Sequence, residues 1–383
     1  MKAKYHLSLV NIVWLLYFII NFLFVDKYAS RICEYSYILS ITYLLSFTFL
    51  FWIFYKKVLP KISCPRTWLI GSFSVFCCIL VCFQYAIDPY LIKVDRWSAI
   101  HNFLAGLLNG EYPYGQQTHL GGYGSPFPVW QILHLPFYAL QNVGLSLFVV
   151  SGLFIWSISR IHNEKVALSA WFMLICSPGY WYEALVRSDL MTNLMVSCII
   201  TEWLIKKEIH LNKHLFLIGI ISGLLLSTRL AAIIPLCVVY GYSFLLLPWK
   251  EKVLFLAVTI ATFSLTFLPF LLWEGSTLLW FEYNPFILQT RQGSILSLLI
   301  FAILSTIIVY RQKYSLSKHL FICGGLLNLL VILAFIHSMW RNNTWLELYS
   351  STFDISYFLM ALPFYIWFNS VSSGGIRCGF RGE

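Results

Sequence analysis

Three charged residues stand where apolar runs meet polar turns, and all three are of types that do chemistry. Asp95 lies in DPYLIKVDRWSAIHNFLAGLLNGEYPYGQQTHLGGYGSPFP, Asp189 in the turn RSDL, and Arg229 in LSTRLAAIIP. A carboxylate such as Asp95 can take a proton from a hydroxyl group as a general base. A guanidinium is well shaped to bind a phosphate, and a charge near membrane depth usually has a partner or a wet cavity. The pattern therefore allows a base and a phosphate-binding cation at a bilayer surface.

Each of the three residues also has a purely structural role open to it. Asp95 and Asp189 both stand at predicted helix starts, where a carboxylate can cap free backbone N–H groups. Asp189 could instead pair with its neighbour Arg187, and Arg229 could extend its charge to the membrane surface. The sequence alone leaves these alternatives open.

The other ionisable residues carry weaker signals. Arg291 and Arg341 are further candidates for the same face as Arg229. Glu202 lies four residues before Lys206, a spacing that predicts an ion pair on a helix surface. The chain has 10 cysteines and 9 histidines, but no CxxC or histidine spacing indicates a metal site, so we predict no metal and no cofactor.

The composition indicates whether water or the lipid bilayer surrounds most of the protein. Of the 383 residues, 59% are hydrophobic and 11% are charged, and the mean hydropathy is +0.75. Too few polar residues exist to cover an aqueous core, so we predict a single integral membrane domain, 1–383. The net charge of +10 forms no long basic patch, which argues against nucleic acid as a partner.

The apolar runs predict an all-α polytopic membrane protein, a bundle of about twelve transmembrane helices of roughly 20 residues each. The first two spans, within 1–67, precede a large loop at 88–142, and the remaining spans fall within 143–383. The predicted spans are 7–25, 37–55, 68–87, 143–158, 166–182, 188–205, 214–228, 231–247, 252–272, 294–310, 319–337 and 353–369.

Basic residues predict the orientation of these spans. The loop KKVLPKISCPR, 56–66, is the strongest positive cluster, so we place it in the cytoplasm and the loop 88–125 outside. The apolar stretch 126–141 carries three prolines, and the other basic loops fall inside only if it does not cross. Both termini are then cytoplasmic, and nearly every candidate for chemistry lies on the outer face.

The outer loop is predicted to begin with a helix lying along the membrane surface. Apolar positions from Trp97 to Leu107 recur at helical spacing, while Asp95 and Asn102 fall on the opposite side. Gly110 is predicted to end this helix, and the glycines that follow give a flexible loop.

The segment from Asp95 to Pro136 resembles the GT-C superfamily of membrane glycosyltransferases, in particular bacterial enzymes that use polyprenyl-phosphate mannose. That family has an aspartate after an early span, a surface helix ending in glycine and a Pro-Tyr element, and then a proline-containing apolar helix. The matching elements here are Asp95, LAGLLNGEYPY and YGSPFPVWQILHLPFYAL. Asp189 and Arg229 resemble the later acidic and basic residues of the family.

This resemblance implies a hexosyltransferase of the cell membrane, most simply a bacterial inner membrane, with an extracytoplasmic active site. The hexose, expected to be mannose, would pass from a polyprenyl-phosphate donor to a glycan or glycolipid acceptor. Asp95 would be the general base and Asp189 a second catalytic acidic residue. Donor phosphate would be bound by Arg229 and Arg291, and acceptor by His101, Tyr112 and Tyr114.

Two other functions remain open. A transporter or flippase for lipid-linked sugars would place ionisable residues near the midplane and often shows repeated halves, which this sequence lacks. A polysaccharide polymerase or ligase would favour an arginine-rich later loop, whereas the loops 273–293 and 338–352 carry one arginine each.

Overall fold

The structure is a computed structural model that describes residues 2–291, 293–311, 318–345 and 353–373. Its secondary structure within these ranges is helical, apart from one isolated antiparallel bridge between Gln117 and Tyr123. The all-α prediction is therefore confirmed for the described part of the chain.

The described residues form seventeen α-helices, with short 3₁₀ or π turns between some of them. Their bounds are α1 Lys2–Ala29, α2 Ser36–Ile53, α3 Pro65–Ala86, α4 Arg96–Asn109, α5 Pro128–Leu133, α6 Leu135–Ala139, α7 Leu145–Ile161, α8 Glu164–Ile175, α9 Pro178–Leu185, α10 Leu190–Lys206, α11 Leu215–Leu226, α12 Ile234–Leu246, α13 Trp249–Trp280, α14 Pro285–Thr290, α15 Ile295–Arg311, α16 His319–Asn342 and α17 Leu362–Ser373.

Six of the described helical segments are long and apolar enough to cross a membrane, or seven if the bent pair α9 and α10 counts as one span. They include most of α1, α2 with the turns that follow it, α3, α13, α16, and the last segment Ile355–Ser373. These helices indicate a multi-pass membrane protein.

The other predicted spans are occupied by shorter helices. Four apolar segments of 10 to 17 residues, Leu145–Ile161, Leu215–Leu226, Leu230–Leu246 and Ile295–Arg311, fall at predicted crossings. The predicted span 166–182 is broken, because α8 ends at Ile175 and Pro178 begins α9. The count of about twelve spans stays a prediction.

The stretch 126–141 forms no long helix. It contains α5 and α6, of 6 and 5 residues, separated at His134. A helix of 6 residues is about 9 Å long, against about 30 Å of hydrocarbon, so neither can cross. This agrees with the prediction that the stretch does not span.

The protein core surrounds α17, whose residues from Leu362 to Ser370 are all buried. Helices α1, α8, α10 and α16 pack around it, and Trp367 and Trp171 are among the largest fully buried side chains. The last predicted span is therefore enclosed by protein, while α3 and α15 expose many large apolar side chains.

Hydrogen bonds gather the loops at two ends of this bundle. At one end, which we call the site end, the segments 88–130, 183–190, 227–230, 284–289 and 353–357 contact one another. At the other, the basic end, Lys165 reaches the carbonyl of Pro60, and Trp203 donates to Ser157 near the loops 159–165 and 206–213. Several predicted outer loops thus contact one another, while the membrane face of each end stays a prediction.

Candidate functional site

A buried ion pair between Asp189 and Arg229 lies at the centre of the site end. Arg229 Nη2 donates to Asp189 Oδ2 at 2.6 Å, and Trp130 Nε1 donates to the same oxygen at 2.7 Å. The two charged side chains are 9% and 3% exposed. Asp189 Oδ1 and Arg229 Nε are buried with no hydrogen-bond partner. The pair therefore retains an unused donor on the arginine and an unused acceptor on the aspartate.

The structure excludes both structural roles that the sequence offered to Asp189. Asp189 precedes α10 but makes no side-chain capping bond; instead Glu183 Oε1 accepts from Met191 N at 2.7 Å. Arg187 has a left-handed φ of 54° and donates to the carbonyl of Gln84, away from Asp189. The predicted pairing of Asp189 with Arg187 is therefore wrong, because Arg229 is the partner.

Arg229 is positioned by the turn between α11 and the helical segment that follows. Backbone N–H groups of Phe127 and Val129 donate to the carbonyls of Thr228 and Ser227, each at 3.1 Å, so the 126–129 chain lies against this turn. Arg229 is 7% exposed. Extension to the membrane surface is therefore not its role, since the guanidinium points into the protein and binds Asp189.

Arg229 lines one end of a long apolar cavity. The cavity has a volume of about 590 Å³. Helices α12, α15 and α16 form its walls, mainly through aliphatic and aromatic side chains. Polar groups of Ser125, Gln289 and Tyr357 lie with Arg229 among the lining residues. The cavity therefore combines an apolar channel with one buried cation, and its size is typical of ligand sites.

A second arginine, Arg96, lies beside this pair and was not predicted as a site residue. Arg96 Nη1 donates to Ser188 Oγ at 2.9 Å, Nη2 binds Asp354, and the guanidinium lies 5.2 Å from the ring centroid of Tyr357. The available signal was a charged residue at each edge of an apolar run, Arg96 after Asp95 and Asp354 before the last span. No local sequence pattern could reveal that Arg96 and Asp354, which are far apart in the chain, form an ion pair.

Both aspartates of these pairs are bound by arginine side chains. Arg229 donates to Asp189, and Arg96 donates to Asp354, which also accepts from Ser356 N at 3.0 Å. Burial opposes ionisation of Asp354, but Arg96 and Ser356 bring the pKa of this carboxyl below its ordinary value. Each of these aspartates therefore has a cation as its partner, whereas Asp95 forms no ion pair within the described residues.

Asp95 directly precedes α4, at the helix start as predicted, but its carboxylate does not cap the helix. Thr118 Oγ1 donates to Asp95 Oδ2 at 3.0 Å and accepts from Gly122 N at 2.9 Å. A Cβ on Gly122 would lie 2.8 Å from the same carboxylate oxygen, so only glycine fits there. Asp95 Oδ1 has no partner among the described residues, which leaves one carboxylate oxygen free.

The loop after α4 folds back along that helix. Gly110 ends α4 with a left-handed φ of 75°, as predicted. Asn102 Nδ2 then donates to the carbonyl of Gln117 at 2.7 Å, and His119 Nδ1 lies 2.7 Å from Ser98 Oγ. These contacts fix the loop expected to be flexible, and they bring it to Asp95.

The same loop continues from Asp95 to the cavity. Gly122 touches Asp95, and Ser125 lines the cavity, where its carbonyl accepts from Gln289 Nε2 at 2.9 Å. Three residues of extended chain span about 10 Å at most. Asp95 and the polar end of the cavity therefore belong to one site.

The remaining predicted site residues lie elsewhere or serve other contacts. Arg291 is exposed and is not among the lining side chains of the described chain, although Thr290 and Gly293 are. His101 Nδ1 lies 3.2 Å from Asn102 Oδ1, and its ring packs 4.9 Å from that of Tyr138. The placements of Arg291 and His101 give them no contact with the Asp189–Arg229 pair.

The two predicted acceptor-binding tyrosines lie in an aromatic cluster beyond the end of α4. Tyr114 is buried, packs against Phe103 and Phe270, and donates to the carbonyl of Pro126 at 3.4 Å. Tyr112 is half-buried with a hydroxyl that has no partner. Tyr114 thus supports the α4 loop, while an acceptor role for Tyr112 stays a prediction.

The predicted Glu202–Lys206 pair is also wrong. Glu202 is buried and pairs with His319, because α16 begins beside the last turns of α10. Within the described residues, no group of three or more His, Cys, Asp or Glu side chains is arranged to hold a metal ion.

No protein-family model, curated protein or solved structure matches this chain. The function is therefore inferred from the geometry of the site and from the resemblance of its motifs.

Proposed function

We propose that this protein is a GT-C-type membrane glycosyltransferase that moves a hexose, most simply mannose, from a polyprenyl phosphate to an acceptor hydroxyl. The observation that carries the proposal is the apolar cavity that ends at Arg229 and lies beside Asp95. The acceptor would be an extracytoplasmic glycan or glycolipid, and the membrane a bacterial inner membrane.

The cavity matches the two chemical parts of such a donor. A polyprenyl chain is apolar and suits the walls formed by α12, α15 and α16. The phosphate at its end needs a cation, and Arg229 has a buried Nε with no partner. An unpartnered buried donor costs roughly 1–3 kcal/mol, which a bound phosphate oxygen would offset.

The residues would share the reaction as follows. The acceptor oxygen attacks the anomeric carbon, and the bond from that carbon to the phosphate oxygen breaks with its electron pair on the phosphate. Asp95 Oδ1 takes the acceptor proton, since Thr118 holds only the other oxygen. Arg229 stabilises the charge that grows on the phosphate. Asp189 becomes a positioning residue for Arg229 rather than a second base.

Binding of the bare lipid phosphate tests this proposal without knowledge of the sugar. The purified protein should bind undecaprenyl phosphate more tightly than undecaprenol, which has the same chain without the charge. Arg229→Gln combined with Asp189→Asn should remove the difference, while Arg341→Gln, an exposed residue in the last turn of α16, should preserve it. The variant Arg291→Gln tests whether this second predicted arginine contributes to binding of the phosphate.

Transfer of sugar completes the test. Radiolabelled polyprenyl-phosphate mannose and glucose would be supplied with membrane glycans as acceptors, and product formation measured. Equal binding of the phosphate and the alcohol, with no transfer from either donor, would contradict the proposal.

A transporter of lipid-linked sugars is the second candidate, and one observation favours it. Glu202 and His319 form a buried pair between α10 and α16, and ionisable groups inside a membrane bundle often belong to proton or substrate pathways. Glu202→Gln should abolish proton-coupled transport if the protein is a transporter, and should leave transfer unchanged if it is a transferase. Flux of lipid-linked sugar across vesicles separates the two.

A further inference from the structure

A second cavity lies at the basic end of the molecule, away from Asp189 and Arg229. It has a volume of about 680 Å³ and is lined by the first turns of α3, the last turns of α7 and the first turn of α8. None of its lining residues belongs to the cavity beside Arg229. It is therefore a separate binding space.

Cations surround the outer part of this cavity. Arg66, Arg160 and Lys165 all line it, against a single acidic residue, Glu164. Neither Arg66 nor Arg160 forms an ion pair within the described residues; Arg160 lies 5.7 Å from the ring centroid of Trp156. Lys165 Nζ donates to the carbonyl of Pro60 at 3.5 Å, so its charge is also unneutralised. The cavity entrance therefore attracts an anion.

The inner part of the cavity is apolar. Leu69, Ile70 and Phe73 continue from Arg66 along α3, and Ile155 and Trp156 face them from α7. A Cβ at Gly152 would lie 3.3 Å from the Phe73 ring, so the glycine lets the helices approach and close the floor.

The length of the cavity fits one leaflet. From Arg66 to Ser74 the helix rises about 12 Å. Half of a bilayer's hydrocarbon core is about 15 Å. A free phosphate would contact only the cations, whereas a phospholipid would contact both the cations and the apolar wall of the cavity.

We propose that this cavity binds an anionic glycerophospholipid of the surrounding bilayer. Its phosphate lies between Arg66 and Arg160, and an acyl chain runs along α3 and α7 toward Ser74. Basic pockets between membrane helices are suited to such head groups. The site is independent of the proposed transferase reaction.

Lipid binding to the full-length detergent-purified protein tests the proposal. Dioleoyl phosphatidylglycerol and dioleoyl phosphatidylcholine have the same chains and differ in head-group charge, and native mass spectrometry resolves their binding. We expect the unaltered protein to prefer phosphatidylglycerol. Arg66→Gln with Arg160→Gln should weaken binding of that lipid by about 30-fold, at roughly fivefold per cation. The control Lys207→Gln with Lys213→Gln removes the same charge from exposed positions and should retain the preference.

A second pair of measurements separates a lipid from a free phosphate. Ser74→Trp narrows the apolar part and should weaken phosphatidylglycerol with all cations intact, while glycerol 3-phosphate should not displace the lipid. Equal binding of the two lipids to the unaltered protein would overturn the proposal without any variant. It would also fail if the arginine and lysine double variants behaved alike, or if Ser74→Trp bound normally and glycerol 3-phosphate displaced the lipid.

Discussion

Replacing Arg229 by glutamine separates its structural contribution from its proposed contact with phosphate. Arg229→Gln leaves the Asp189 carboxylate almost fully buried, with only Trp130 as a donor. Removing one partner of a buried ion pair typically costs about 3–5 kcal/mol. The single variant should therefore unfold more easily, and a loss of activity in it would be ambiguous.

Adding Asp189→Asn to Arg229→Gln removes that ambiguity. The double variant has no buried charge left unpaired, so we expect most of the stability of the native protein to return. The Trp130 Nε1 bond can still be accepted by the amide oxygen of the new asparagine. The phosphate contact stays lost, and one such electrostatic contact is worth about 100- to 1000-fold in turnover.

The assay measures two quantities on each purified variant. Thermal unfolding in detergent gives stability, and transfer from a polyprenyl-phosphate hexose gives turnover per folded molecule. The expected result is a double variant that is stable and inactive. A stable double variant with native turnover would refute the role of Arg229, and so would a loss of activity that only follows the loss of folded protein.

Three further results are expected. Asp95→Asn should lower turnover by about 100- to 10,000-fold with native stability, because the amide cannot accept the proton. The control Asp88→Asn changes an exposed residue of the same loop and should have near-normal turnover. Equal turnover of the two variants would remove Asp95 from the mechanism. Burial lowers the pKa of His134, so the unfolded chain binds the proton at a higher pH than the folded protein does. The unfolding temperature should therefore fall as the pH drops below about 6.5. A His134→Asn variant whose unfolding temperature falls equally steeply with pH would contradict this. In a cysteine-free background, an impermeant thiol reagent added outside should label Gln116→Cys but not Ser63→Cys, and the reverse labelling would invert the predicted orientation.

Composition and local spacing predicted the helical membrane class, the helix α4 with its end at Gly110, and Asp95, Asp189 and Arg229 as candidate site residues. The ion-pair partner of Asp189 could not be predicted from the sequence, and the reason is physical. Local rules favour its neighbour Arg187 or a helix cap, but a left-handed φ turns Arg187 away and Glu183 takes the capping role. Only tertiary structure decides which of several nearby cations reaches a buried carboxylate.

The break inside the predicted span 166–182 could not be predicted for a related reason. A hydropathy pattern records apolar composition, whereas helix length also depends on breaks in the backbone. The run 166–182 is uniformly apolar enough to read as one span, yet Ser177 accepts a bond from Tyr180 N and begins a new helix at Pro178. Polar side chains inside the bundle can satisfy the backbone groups that such a break leaves unpaired, and the sequence does not show which side chains lie there.

The shortness of α11 ties the proposed site to the thickness of the bilayer. This helix, Leu215–Leu226, has 12 residues and rises about 18 Å, against about 30 Å of hydrocarbon. We therefore predict that, in the twelve-span layout, the turn at Arg229 lies below the outer lipid head groups. A phosphate bound there would then sit in a local depression of the membrane, and a thicker bilayer would deepen the mismatch. Transfer in vesicles of increasing acyl-chain length should therefore slow, and a rate independent of chain length would place Arg229 at the surface instead.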